Sequence, residues 1–295
     1  MSRSPVAKQE SRWAFWLLLP ALMGLGLFTA LPMLGSLGLS FMQWDLLGSP
    51  RWVGVANYVD LLHDPLFWKV MAQTGFFVGL YLVLDISLAL GLAIALNQKL
   101  RGLGLLRTAY FMPVVTSMVA GAILWSGIFD ARYGALNALL GSLGLDPVRW
   151  LSDSRWALPS LVVVSVWKNL GYDMLLFLAG LQAVPKGQLE AASLDGANAW
   201  QRFWHVTLPL LGPSLVMVTM LATIRAFQTF DTVYLMTEGG PHRSTTIVGY
   251  WLFQNAFTTF KLGKASALAY MLFMALLALS ALQWWGRKRL SHQED

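Results

Sequence analysis

The sequence predicts an all-α, polytopic membrane protein, and three observations predict it. Of its 295 residues, 56 % are apolar and only 12 % are charged, against about a quarter charged in an ordinary soluble domain. Uncharged apolar stretches of around 20 residues follow one another along the chain, each long enough to cross a bilayer as a helix. Backbone groups in lipid must be satisfied internally, which leaves helices or closed barrels, and runs of this length are not barrel strands. The chain has no cysteine, which excludes disulfides, Cys-ligated metals and cysteine nucleophiles. Its formal charge of +6 does not point to nucleic acid, because many of the positive residues flank apolar segments, where membrane topology places them.

The head, 1–12, is short and polar. The uncharged run after it is too long for a signal-peptide core and predicts a retained first span over 13–37, bent by Pro20 and Pro32. A loop with Trp44 and Trp52 suits the membrane interface. The second span, 70–96, contains one charge, Asp85, and a stripe of Ser87, Gly91 and Ala95 that reads as a packing face. A basic turn leads to the third span, 108–129, with Pro113 inside it. The fourth, 156–181, is the most interrupted, with Lys168, Asn169, Gly171, Tyr172 and Asp173 near its middle. The fifth covers 206–227 and the sixth 265–285, ahead of a basic tail, 286–295. The stretch 244–260 is apolar enough to tempt a further span, but it is short and carries Gln254 and Asn255. It reads as a helix lying at or dipping into the interface. The six spans form one domain, 13–285.

Six spans put both termini on one side. That side holds Arg3, Lys8, Arg12, Lys99, Arg101, Arg107, Lys186, Arg202, Arg287, Lys288 and Arg289, packed into short segments. The other side holds Arg51, Lys69, Arg132, Arg149, Arg155, Arg243, Lys261 and Lys264. The positive-inside rule makes the first side cytoplasmic, and with it the loop 185–205.

That loop is the most structured connector. Pro185 opens a helix, Glu190 favours its early turns, and Ala191 and Ala192 are strong helix formers. Asp195-Gly196 signals a turn. A second helix from about Asn198 puts Trp200, Phe203 and Trp204 on one face, able to seat the element on its own bundle. From residues alone, a docking surface for another protein and a plain interfacial linker both remain open.

The run Glu190-Ala191-Ala192, three residues, Gly196, extended through Asp195, Phe203, Leu208-Pro209 and Pro213, resembles the cytoplasmic loop of permease subunits of binding-protein-dependent ABC importers. DTVYLMTEGGP at 231–241, WLLLPAL, VGVANYVDLL and RTAYFMP resemble the carbohydrate branch of that family, which includes permeases for maltose, glycerol-3-phosphate and lactose. The resemblance covers nearly the whole chain. It implies a type I ABC importer permease fold of six transmembrane helices. It also implies a cytoplasmic coupling helix that docks on an ATPase through Glu190, Ala191, Ala192, Asp195 and Gly196. The implied partners are a homologous second permease, a dimer of ATPase subunits and an extracytoplasmic solute-binding protein. ATP and Mg would belong to the ATPase subunits, and the location would be a bacterial or archaeal cytoplasmic membrane.

Trp167, Asn169, Tyr172, Arg225 and Gln228 could line a sugar path or make interhelical contacts. Arg225 could equally snorkel to the interface. Lys168 and Asp173 are five apart, poorly placed for an ion pair on one helix. Gly239, Gly240 and Pro241 form a turn that contacts the receptor, shapes an outer gate or is purely structural. The sequence contains no Gly-rich P-loop and no His-carboxylate cluster for a metal. The rival reading is an ion-coupled secondary transporter with Asp85, Lys168 and Asp173 as a relay.

Overall fold

The structure is a computed structural model that describes residues 5–46, 48–98 and 102–291. Arg3, Lys99 and Arg101, used above for sidedness, lie outside the described residues, as do the other residues of 1–4 and the tail end, 292–295.

The chain divides into two compact units. The first comprises Met1–Asp64 and Gln254–Leu272, and the second Pro65–Phe253 and Phe273–Asp295. In the first unit, α1 (Pro5–Leu25) continues through a π-helical turn, Gly26–Ala30, into α2 (Leu31–Ser40). The expected span 13–37 therefore becomes one of 13–40. The widened turn falls just ahead of Pro32, whose missing N–H makes a regular ladder impossible there. Strands β1 (Met42–Gln43) and β2 (Arg51–Trp52) pair antiparallel, followed by α3 (Ala56–His63). Asn57 stitches this corner, donating its side-chain N–H groups to the Ser40 and Met42 carbonyls at 2.9 Å each. Tyr58 adds a hydroxyl bond to Ser40 Oγ at 2.7 Å.

The second unit is built on α4 (Pro65–Leu96), with α5 (Leu103–Val115), α6 (Met118–Ile128), α7 (Ala135–Ser142) and α8 (Ala157–Ala183) following. Next come α9 (Lys186–Leu194), α10 (Ala199–Arg202), a π-helical stretch (Phe203–Thr207), α11 (Leu208–Leu210) and α12 (Gly212–Gln228). The series ends with α13 (Asp231–Met236) and α14 (Val248–Phe253), whereas the π-helical turn Gln254–Thr258 and the start of α15 (Leu262–Ser291) belong to the first unit, α15 entering the second from Phe273.

Among the described residues, four helical stretches are long and apolar enough to cross a membrane: 13–40, 65–96, 157–183 and 262–285. The count reaches six if each of two bent pairs is one span. The expected third span, 108–129, is two helices, α5 and α6, bent by 101°. The break falls at Thr116 and Ser117, which take extended backbone (ψ 140° and 136°). The expected fifth span, 206–227, is likewise an arm from Ala199 to Leu210 bent by 68° from α12. Conversely α8, read as the most interrupted span, is continuous: no proline lies past its first turn, and Lys168, Asn169 and Asp173 each find a partner.

The core of this unit lies where α4, α8 and α12 meet. One cluster gathers Phe77, Tyr81, Leu161, Val162 and Ala226, and a second gathers Ala89, Ala93, Met174, Phe177 and Val218. The small-residue stripe expected on α4 is displaced. Ser87, Gly91 and Ala95 are exposed, whereas Asp85, Ala89, Ala93 and Leu96 are buried. Only the latter set lies on the face turned to α8. Gly171 and Gly180 allow close packing: a Cβ at Gly171 would collide with the Tyr110 main chain, and one at Gly180 with the Ser214 side chain.

Candidate functional site

Residues 185–205 fold as two short helices around a tight turn. Pro185 precedes α9 in extended conformation, φ −63° and ψ 123°. At its end α9 closes in a Schellman turn. Gly196 takes φ +83°, its N–H bonds the Ser193 carbonyl at 3.2 Å, and the Ala197 N–H reaches the Ala192 carbonyl at 3.0 Å. Only a residue at ease in the left-handed region fits that corner, which is the physical reason for glycine there. Asn198 then caps α10. Its side chain accepts the Gln201 N–H while Gln201 Oε1 accepts the Asn198 N–H, both at 2.9 Å, a reciprocal capping box. Arg202 reaches back over the turn, donating to the Ala197 carbonyl at 2.9 Å and to Ser193 Oγ at 3.3 Å.

Of the residues expected to dock, Glu190, Ala191, Asp195 and Gly196 are exposed and Ala192 is half-buried. Leu194, which sequence reasoning missed, projects with 88 % of its surface exposed. A shallow cleft of about 350 Å³ opens beside it, lined by Ala192, Asp195, Gly196, Gln201, Arg202 and His205 among others. Trp200, Phe203 and Trp204 do share a face, with ring centroids 5.5 to 6.4 Å apart. They pack on one another more than on the bundle: Trp200 is 70 % exposed and Trp204 46 %. The expectation that this face seats the element on its own chain is therefore replaced by an aromatic surface left open.

The second candidate is a polar group inside the bundle. Asp173 on α8 is fully buried and pairs with Arg225 on α12. Arg225 in turn lies over the Tyr172 ring, 5.1 Å from its centroid. Arg225 thus turns inward and does not simply snorkel. Tyr81 Oη, both carboxylate oxygens of Asp85 and Oδ1 of Asp173 are buried without a hydrogen-bond partner. Tyr81 and Asp85 are one turn apart on α4, with Asp85 beside Asp173. Of the five residues proposed for a solute path, Tyr172 and Arg225 meet, and Gln228 is exposed one turn beyond Arg225. Asn169 donates to the Ser165 carbonyl of its own helix at 2.9 Å. Trp167 turns toward α6, edge-on to Trp125 at 5.7 Å.

Lys168 does not meet Asp173. Its ammonium donates to the carbonyls of Pro113, Val114 and Thr116 at 2.8, 2.9 and 2.6 Å. No local signal could have found this, since the partners lie 52 to 55 residues away.

The turn at Gly239, Gly240 and Pro241 is held from inside. Gly239 has φ +81°, Thr246 Oγ1 donates to its carbonyl at 3.2 Å and Thr245 Oγ1 to that of Gly240 at 2.8 Å. From α4, Gln73 donates to the Arg243 carbonyl at 2.8 Å and Lys69 to that of His242 at 3.2 Å. Among the described residues, no group of three or more His, Asp or Glu side chains is placed to hold a metal ion.

A family model described as "Binding-protein-dependent transport system inner membrane component" matches residues 86–284, which include both bent segments and the α9–α10 turn. The chain is 37 % identical over 277 residues to "Probable ABC transporter permease protein YesP" of Bacillus subtilis, covering 92 % of this chain and 89 % of the relative. It is 34 % identical over 279 residues to the trehalose/maltose transport system permease protein MalF of Thermococcus litoralis, covering 94 % of each. A crystal structure of a bacterial ABC transporter involved in the import of the acidic polysaccharide alginate has the same fold. Its TM-score is 0.83 at 22 % identity, over 97 % of this chain and 99 % of that one. The chain belongs to the family of binding-protein-dependent transport system inner membrane components. It is a multi-pass membrane permease component of an ABC-type importer, without catalytic chemistry of its own.

Proposed function

We propose that this chain is the permease subunit of an importer for a sugar or sugar derivative. Relatives at 34 % identity that are named for trehalose/maltose and for lactose transport support the carbohydrate class. In this reading each bent pair is one of six spans, 13–285 is a single permease domain, and both termini face the cytoplasm. Helix α9 is the coupling helix: Glu190, Ala191, Ala192, Asp195 and Gly196 meet a cleft in an ATPase subunit. A homologous second permease, a pair of ATPase subunits that carry ATP and Mg, and an extracytoplasmic solute-binding protein complete the machine. Tyr172 and Arg225, with Gln228 nearby, are the part of the polar group best placed to face solute. The turn at Gly239, Gly240 and Pro241 shapes the outer mouth.

The observation that carries this reading is the α9–α10 turn. It is braced by its own hydrogen bonds, exposed on its small-residue side, and joined directly to α12 through α11. A force on α9 is thereby delivered to a helix of the bundle core. ATP-driven closure of the ATPase pair would act there.

Co-purification of the tagged chain, followed by ATPase assays with candidate receptors and sugars in nanodiscs, tests the whole. Sugar-dependent stimulation is expected. Glu190→Ala and Gly196→Ala should uncouple hydrolysis from uptake, or prevent ATPase assembly, with the spans still inserted. Normal coupled uptake in both variants would remove the coupling assignment.

A further inference from the structure

The break between α5 and α6 is gripped on both arms by one turn of α8. Gly171 lets the α8 backbone lie against Tyr110 and Phe111 of α5, where any larger residue would collide with main chain. Trp167 lies over Gly121 of α6, 3.2 Å from where a Cβ there would be, and edge-on to Trp125. Between them, Lys168 donates three hydrogen bonds to carbonyls at the end of α5.

An ammonium has three N–H donors, and all three are used. The last turn of a helix presents carbonyls that lack intrahelical partners and carries the negative end of the helix dipole. With 13 residues, α5 rises only about 20 Å, short of a hydrocarbon core of roughly 30 Å. In the permease reading the bent pair is one span and the break falls within it, where no water would satisfy the Val114 and Thr116 carbonyls; that of Pro113 also accepts the Thr116 N–H at 3.2 Å. Transporters that use broken helices bind coupling cations at such carbonyl ends. Here the cup is filled by the chain's own cation.

We propose that Lys168 is a positioning residue for transport. Its ammonium, flanked by Trp167 and Gly171, clamps α5, α6 and α8 into one rigid body and fills a cation cup that would otherwise be open. The proposal rests on the permease reading. Its consequence is that the 101° corner keeps its angle throughout the transport cycle, so that motion enters the bundle elsewhere.

The chain's lack of cysteine makes the test direct. Leu105 on α5 and Ile123 on α6, 79 % and 70 % exposed, are replaced by cysteine and spin-labelled in the reconstituted complex, with any other exposed cysteine removed. The expected result is one narrow distance that shifts by less than about 2 Å between nucleotide-free and ATP-bound states, well below the roughly 5.4 Å of a one-turn ratchet. Lys168→Met should broaden the distance and cut uptake about tenfold or more while basal ATPase persists, as expected when positioning is lost away from the ATPase chemistry. In Lys168→Ala, methylammonium, a free cation with three N–H donors, should restore uptake in part, and tetramethylammonium, which has none, should not. A state-dependent shift of the distance in the unmutated clamp overturns the proposal, and does so even if a Lys168 variant fails to assemble. Full uptake by Lys168→Met, or no rescue of an assembled Lys168→Ala complex, also overturns it. Absence of sugar uptake by the wild-type complex counts against the permease reading instead, because the label distance still reads the clamp.

Discussion

Between α5 and α6 the chain turns by 101°, and between α11 and α12 by 68°. Proline stands close to both corners: Pro113 before the first, Pro209 and Pro213 on either side of the second. What holds them differs. The first corner is fixed from another helix, by a lysine, a tryptophan and a glycine of α8. The second also touches α8, where Gly180 meets Leu211 and Ser214, but the arm that leads into it is braced by devices within about 15 residues of the corner: the Schellman turn at Gly196, the Asn198–Gln201 box, the Arg202 tie and a π-helical stretch that relaxes the ladder ahead of Pro209. Its far arm is then anchored to α8 through Arg225 and Asp173. A corner held at long range is part of the global fold. An arm braced from within itself is a rigid handle that passes a push on to the core through Leu211.

Variants can break or sharpen that contrast. Arg225→Met should have the largest effect, because it strands Asp173 as a buried, unpaired carboxylate. A loss of about 3–5 kcal/mol is expected for such a severed pair, read as thermal unfolding in nanodiscs, with much of it recovered in the Arg225→Met/Asp173→Asn double variant. Gly171→Ala should follow at about 3 kcal/mol, since its new Cβ meets main chain that cannot step aside. Gly196→Ala forces alanine into the left-handed region at a cost of about 1–2 kcal/mol. Because that cost is confined to the handle, coupling of hydrolysis to uptake should fall much more than bundle melting. Asn198→Ala should cost about 1 kcal/mol through loss of the cap, seen as faster amide exchange in α10. If Gly196→Ala and Asn198→Ala shift the bundle's unfolding as far as Gly171→Ala does, the distinction between the two corners is wrong.

The smallest effect concerns the link after α6. Asp130 accepts the Tyr133 and Arg132 amides at 2.7 and 2.8 Å, and these bonds hold its carboxyl below its usual range. A group whose folded value is lowered stabilises when ionised. Its contribution is present at neutral pH and disappears as the pH falls through the lowered value. Protection of the Tyr133 amide should therefore fade on acidification, and Asp130→Asn should remove that dependence.

Much of this was legible in the sequence, and the limits have physical causes. The loop motif, the cap region at Asn198 and the shared aromatic face depend on neighbours three or four residues away, where helical periodicity is a sound guide. The α4 stripe shows how narrow that guide is. Ser87, Gly91, Ala95 and the buried Asp85, Ala89, Ala93 have the same period, and only the partner helix decides which set turns inward. Pro113 advertised a disturbance in the third span, but the helix runs two residues past it and breaks at Thr116-Ser117, where α8 supplies a cation. Lys168 and Asp173, five apart, are poorly placed for each other on one helix, but nothing local says where their partners are. In the fold each is claimed by a helix far away in sequence.

The tight turn after α9 has a consequence for recognition. Within 191–202 the carbonyls of Ala191, Ala192, Ser193, Ala197 and Asn198, and the amides of Asp195 through Asn198, Gln201 and Arg202, are largely matched to one another. A protein that seats this corner meets a fixed contour and a few projecting groups, the Glu190 carboxylate and the bare Leu194 side chain foremost. Its choice of partner can then be rewritten by changing side chains while the backbone of the corner stays as it is.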